Sequence, residues 1–414
     1  MEKEHFAWYD FPMSAMSFKV EKKLTNTLGR VGTISTPHGN IETPAFTLVG
    51  TKGTVKAMTA EQIKDVEAQV VLANTYHLYL EPGERIVEKA GGIGKFMNWD
   101  GPTITDSGGF QVMSLGGSFG TGLNKFMTRE ELDSSGGLKR DKAESSGQLA
   151  RVSEDGVSFR SHLDGAKHYL TPERSIEIQH SLGADIIFAF DECPPADSTK
   201  EYQREAMDRT HRWAERCIQF HRSKENSDHQ ALWGIVQGGS FADLRTLSAR
   251  TIRDLGFDGY GIGGSYMKED LPEILGITAK NLEEEKPRHL LGIGEPEDFF
   301  IGIENGADTF DCVSPTRQAR NGSLYTHKGR INIKNNAFRS DLSSIDSDCD
   351  CYTCSNYSRA YISHLFRSKE MLGPILATIH NARFIIKLVA DIRSSIYNDS
   401  YWKFKENFLD SYSR

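Results

Sequence analysis

The sequence predicts an α/β chain folded as a TIM (β/α)8 barrel, and two observations carry that expectation. Eight short apolar runs recur along the 414 residues, each ending in glycine, a polar residue or a carboxylate. Most gaps between them carry helical periodicity, the alternation that builds a parallel sheet with covering helices. In such a barrel the polar strand ends converge on one mouth, where function resides. An open, doubly wound sheet is the competing arrangement.

In order, the runs begin with PAFTLVGT (44–51), QVVLANT (69–75), TITDSGGFQ (103–111) and ADIIFAFDECPP (184–195). ALWGIVQGG (231–239), FDGYGIGGS (257–265), RHLLGIGEP (288–296) and GADTFDCVSPTR (306–317) complete the eight. Between them TPERSIEIQHSLG (171–183) and REAMDRTHRWAERCIQFHR (204–222) read as helices. Thr171, Pro172 and Glu173 supply the first with a cap, a pre-set first turn and an acid at its positive end. Two stretches break the repeat. Residues 115–156 are rich in Gly, Ser and charge. That composition buries little, so it reads as a long, partly disordered loop, either gating a substrate or passively inserted. Residues 313–380 carry a cysteine cluster and read as a lobe inserted between strand eight and helix eight, with NARFIIKLVADIRSSI (381–396) as the last barrel helix. The expected division is therefore a barrel with an N-terminal extension over 1–312, the lobe over 313–380, and closing helices over 381–414.

The net charge of −8 gives no global case for nucleic acid, so any such case is local. No apolar run approaches the roughly 18 residues a membrane span requires. The acidic, aromatic start MEKEHFAWYDFPMSAMSFKV lacks the basic and apolar regions of an export signal, which makes the cytoplasm the expected compartment. There, cysteines at short spacing favour a metal over disulfides. Cys349, Cys351 and Cys354 form C-x-C-x2-C and can occupy three corners of a tetrahedron around Zn2+. His364, His380 and the upstream His327 are the candidates for the fourth. Three Cys and one His leave no open position, so the site reads as structural.

The carboxylates carry the chemistry. Asp106, Asp191 and Asp311 each follow an apolar strand and would face one barrel mouth. Paired carboxylates suit glycosyl transfer, in which one attacks an anomeric carbon and another handles protons. The glycines of GIGGS either cradle a phosphate or let backbone N–H groups approach a planar ligand. From Cys312 to Ser340 there are six basic residues (Arg317, Arg320, Lys328, Arg330, Lys334, Arg339) and no Asp or Glu. Beside Asp311, that segregated charge is the footprint of a phosphate backbone.

With these motifs assembled, the chain resembles the tRNA-guanine transglycosylase family, the queuine tRNA-ribosyltransferases, of bacterial type. NTYHL, TDSGGFQVMSL, SHLDG, TPERSIEIQHSLGADI, AFDECPP and VQGG carry the resemblance, in order, through the first part of the chain. FDGYGIGG, LLGIGEPED, FDCVSPTRQARNG, GRINIKN, CDCYTC and SRAYISHL carry it through the rest. The resemblance implies a TIM barrel with a zinc lobe, acting in queuosine biosynthesis on tRNA with a GUN anticodon. It implies Asp311 as the nucleophile at C1′ of guanosine 34, forming a covalent intermediate that a 7-deazaguanine, preQ1 or queuine, resolves. It implies Asp106 as general acid/base and Asp191 as acceptor for the purine N1–H and exocyclic amine. Gln237 and the Gly264 N–H would meet O6, assisted by Ser107, with Phe110 and Leu291 sandwiching the ring. Arg317 and Arg320 would contact the anticodon loop. Cys349, Cys351, Cys354 and His380 would hold one structural zinc per chain, which chooses among the histidines. Tyr357, Tyr361 and His364 fall where the bacterial family forms a homodimer. One departure stands out: after GIGG the family continues with Leu or Val and small residues, whereas Ser265, Tyr266 and Met267 follow here, with Glu269 retained. The segment would border the pocket for the 7-substituent, and a bulky Met267 favours the small aminomethyl group of preQ1. That no RNA-binding domain follows residue 414 argues against the archaeal enzymes acting at position 15.

Overall fold

The structure is a computed structural model that describes residues 15–115, 126–127, 150–225 and 227–412. Eight parallel strands close into a barrel: β1 (Ala45–Val49), β2 (Val71–Ala73), β3 (Thr103–Thr105), β4 (Ile186–Phe188), β5 (Ala231–Val236), β6 (Gly259–Ile262), β7 (Arg288–Leu290) and β8 (Thr309–Asp311). Each lies inside one of the eight apolar runs. Closure is made by β8 against β1, with Phe310 opposite Phe46 and Asp311 opposite Thr47. That pairing excludes the open sheet. The strands are buried on both faces, which is why they read as continuous apolar runs without alternation.

The helix Pro172–Leu182 forms as its sequence dictates: Thr171 Oγ1 accepts the Arg174 N–H at 3.1 Å, and Gly183, at φ +68°, ends it. An antiparallel sheet (Ser17–Lys23, Arg30–Thr36, Gly39–Thr43) precedes the barrel. Its Ile34 and Ile41 pack with Ile104, Ile186 and Ala231, closing the N-terminal end. Arg30, 2% exposed, fixes that sheet to the start of β8 through a forked pair with Asp308, Nε to Oδ1 at 2.8 Å and Nη2 to Oδ2 at 2.7 Å.

Part of the expected 115–156 loop is ordered structure. Ala150–Val152 is the first strand of a second antiparallel sheet, with Val157–Arg160 and Lys167–Leu170. Phe126–Met127 pairs in parallel with Tyr266–Met267. Residues 116–125 and 128–149 lie outside the described residues. After β8 come the helix Ser314–Arg320, the hairpin Ser323–Thr326/Gly329–Asn332 and the helices Tyr352–Asn356 and Arg359–Arg367. These share a small core of Ala319, Leu324, Ile333, Ile345, Ile362 and Ala377. The helix Leu372–Tyr397 runs unbroken through the boundary expected at 380/381, so lobe and barrel share one rod. No helix among the described residues is long and apolar enough to cross a membrane.

Candidate active site and metal centre

The C-terminal strand ends surround a cavity of about 490 Å³. Asp106, Ser107, Phe110, Asp191, Gly264, Leu291, Asp311, Arg317 and Arg320 all line it, so the structure brings together nearly every residue the sequence nominated. Gln237 differs. It is 1% exposed and sits behind the wall, donating from Nε2 to Asp191 Oδ2 at 2.7 Å. Ser107 Oγ donates to the other oxygen, Oδ1, at 2.9 Å. Asp191 is therefore oriented from both sides. Tyr266 and Met267 are also not among the lining residues; both are buried beside the cavity.

Asp311 ends β8 with its carboxylate at the mouth. Gly292 N–H donates to Oδ1 at 2.8 Å, and His289 Nε2 lies 3.0 Å from the same oxygen. His289 is fully buried, with Nδ1 2.8 Å from Thr309 Oγ1. A carboxylate only accepts, so the imidazole proton belongs on Nε2 and Nδ1 accepts from the threonine hydroxyl. Asp106 follows β3. Its carboxylate accepts from the Asn74 side chain, from Thr75 N at 2.8 Å and from Gln111 Nε2 at 2.7 Å. Burial nevertheless pushes its pKa up to about 6, against those three donors, and the charge of Asp311 adds to the rise.

Above the carboxylates the rim is cationic. Arg317 is exposed and Arg320 half-buried on the helix Ser314–Arg320, and Lys56 also lines the cavity. Arg320 Nη1 is buried with no hydrogen-bond partner. Burial, and then Arg317, hold its pKa below the usual value.

Cys349, Cys351, Cys354 and His380 bring one ligand atom each to within 4.8 Å of one another, a group that could hold a metal ion. His380 Nδ1 is 3.3 Å from Cys354 Sγ and 3.6 Å from Cys351 Sγ, while its Nε2 donates to the Tyr325 carbonyl at 2.7 Å. The outer hydrogen bond fixes the ring so that Nδ1 faces the thiols. The other candidates are committed elsewhere. His327 Nδ1 pairs with Asp346 at 2.7 Å, and His364 is exposed at 3.5 Å from Ser368.

The sequence profile of the queuine tRNA-ribosyltransferase family matches residues 25–414. The chain belongs to the queuine tRNA-ribosyltransferase family. A queuine tRNA-ribosyltransferase of Caldanaerobacter subterraneus subsp. tengcongensis is 47% identical over 403 residues, covering 97% of this chain and 98% of that protein. Those of Desulforamulus reducens and Staphylococcus aureus are 47% and 44% identical, over 95% and 97% of this chain and 98% and 97% of theirs. As a queuine tRNA-ribosyltransferase family member the chain is an enzyme, a pentosyltransferase. Several residues of this family site had no role assigned from sequence. Asn74 and Gln111 stood inside the quoted NTYHL and TDSGGFQ motifs, and their amides now prove to hold Asp106. His289 stood second in the run RHLLGIGEP and Gly292 in the quoted LLGIGEPED motif, and neither place announced a contact with Asp311.

Proposed function

We propose that the chain is a tRNA-guanine transglycosylase that exchanges guanine 34 of a GUN anticodon for a 7-deazaguanine, preQ1 in preference to queuine. The observation that carries this reading is the pairing of Asp311 and Asp106 in one cavity beneath the Arg317/Arg320 rim. Asp311 attacks C1′ of the ribose as the C1′–N9 bond breaks, and guanine departs with the bonding pair and takes up a proton from Asp106. An aspartyl-ribosyl ester forms. N9 of the incoming base then attacks C1′, the ester bond breaks, and the base's N9 proton passes to Asp106. Two displacements at one carbon retain configuration. With a pKa near 6, Asp106 is mostly a base at neutral pH yet close enough to serve as an acid. Asp191 accepts from the purine N1–H and amine, Phe110 and Leu291 cover its faces, and the Gly264 N–H, with Gln237 behind Asp191 and Ser107 beside it, completes the edge.

The preference for preQ1 rests on the segment after GIGG. Ser265, Tyr266 and Met267 are 5%, 1% and 9% exposed, and Tyr266–Met267 is covered by its pairing with Phe126–Met127. Met267 is not among the lining residues, so the steric argument rests on the fixed backbone of this segment, where the Met267 N–H donates to Ser240 Oγ at 3.3 Å. Cys349, Cys351, Cys354 and His380 hold a zinc ion, whose thiolate-rich, closed donor set serves structure. Tyr357 stacks on Tyr361 at 5.4 Å near the exposed His364, the face proposed for a homodimer. The reaction takes place in the cytoplasm.

Incubation with labelled guanine and tRNA tests the reading. Label enters tRNA with the wild type, and preQ1 competes better than queuine. Asp311→Asn forms no tRNA adduct on denaturing gels; an adduct that persists places the nucleophile elsewhere.

A further inference from the structure

We propose that Arg245 is a positioning residue for the base pocket, holding the 263–264 peptide so that the Gly264 N–H points at the purine O6. The inference rests on the exchange reading above. Arg245 belongs to the helix Ala242–Asp254 and is fully buried. It donates from Nε to the Gly239 carbonyl at 2.7 Å, and from Nη1 to the carbonyls of Val236 at 3.2 Å and Gly263 at 2.8 Å. Its Nη2 has no hydrogen-bond partner, and no carboxylate among the described residues pairs with it. The Tyr266 ring, 5.4 Å away, offers the cation a favourable face. A buried charge without a counter-ion is costly, so what this one holds matters.

What it holds is a peptide plane. In a trans peptide the N–H points opposite to the carbonyl. Fixing the Gly263 carbonyl on Arg245 therefore turns the Gly264 N–H away from the guanidinium, toward the cavity that both glycines line. That N–H makes no hydrogen bond within the described residues. Gly264 sits at φ +94°, and a Cβ there would lie 2.7 Å from Arg245 Nη2 and 3.1 Å from Gln237 Oε1. The close approach of guanidinium and loop thus requires glycine. As guanine departs, negative charge spreads to O6. A fixed N–H whose own peptide carbonyl accepts from a cation is polarised toward that charge, with no reorganisation during the step.

Arg245→Lys cannot serve the Gly239, Val236 and Gly263 carbonyls in one plane. The test compares guanine with 2-aminopurine, which lacks O6 and the N1–H that Asp191 accepts, as inhibitors of labelled-guanine exchange; the Asp191 share of the preference is common to wild type and variant. In Arg245→Lys the wild-type preference for guanine shrinks by about tenfold or more, the scale of one hydrogen bond, while tRNA affinity holds within about twofold. A purely structural role weakens both bases alike, so a folded variant that keeps the wild-type ratio overturns the proposal. Where Arg245→Lys does not fold, Gly264→Ala is measured in the same way, since its Cβ displaces the loop from an intact Arg245. An unchanged ratio there overturns the proposal too. Failure of the exchange reading is seen separately, as no guanine exchange by the wild type.

Discussion

Asp106 and Arg320 are both charges kept partly out of water, and each yields a measurable consequence. The folded-state pKa of Asp106, about 6, lies above the carboxylate's unfolded value of about 3.9. Below about pH 4 the carboxyl is protonated in both states and its pKa shift costs nothing. As pH rises from 4 to 6 the unfolded chain loses the proton first, and the folded state carries a growing penalty, complete above pH 6, of about 2 to 3 kcal/mol. Asp106→Asn removes that penalty. Urea midpoints at pH 4.5 and 7.5 should show the variant losing less stability than the wild type across that interval, while base exchange falls by about 10²- to 10⁴-fold. Arg320→Ala should weaken binding of all substrate tRNAs about equally and lower the salt slope of log Kd by about one unit. Titration at several salt concentrations checks this, and an unchanged slope rules out a phosphate contact.

One helix sets the geometry of the arginine-bearing lobe. On Leu372–Tyr397, His380 points Nδ1 at the thiols, and its neighbour Asn381 donates to the carbonyls of Pro315 at 3.0 Å and Ser323 at 3.1 Å. Asn381 Oδ1 in turn accepts the Tyr325 N–H at 3.1 Å. The metal centre and the clasp on the arginine-bearing helix Ser314–Arg320 are thus one helical step apart. Cys351→Ser should lower the melting temperature and the tRNA affinity together, by several kcal/mol in stability, because the binding energy of a structural metal is folding energy. Exchange per bound tRNA should stay near the wild-type rate. Loss of chemistry with folding and tRNA binding intact would instead place the metal in the reaction.

For the molecule as a whole, the barrel is held shut at the end opposite the carboxylate-lined cavity. Asp308, 0% exposed, receives both Arg30 contacts and the Arg288 N–H at 2.8 Å, joining the N-terminal sheet to the starts of β7 and β8. Asp308→Ala leaves a buried guanidinium without its counter-ion and should cost about 3–5 kcal/mol, read from the shift in urea midpoint. Three residues further along β8, Asp311 is set at the mouth by the same strand. The stabilising ion pair and the carboxylate-lined cavity occupy opposite ends of one barrel, as this architecture permits.

Local chemistry determined the elements. Eight apolar runs became eight strands, and Thr171, Pro172 and Gly183 bounded their helix as such residues must, because caps and backbone preferences act within a few residues. The spacing of Cys349, Cys351 and Cys354 likewise announced a metal group, and Asp106, Asp191 and Asp311 announced a mouth lined with carboxylates. Spacing alone left His327, His364 and His380 open; the family resemblance pointed to His380, and the tertiary structure sets it beside the three thiols, since a ligand's partners come from chain segments brought together by packing. Only the tertiary structure revealed that Asn74 and Gln111 hold Asp106, that His289 and Gly292 hold Asp311, and that Gln237 stands behind Asp191. Arg245 was least legible of all. A periodic helix position predicts burial for an apolar side chain, not for a cation whose partners are three carbonyls at the ends of two strands.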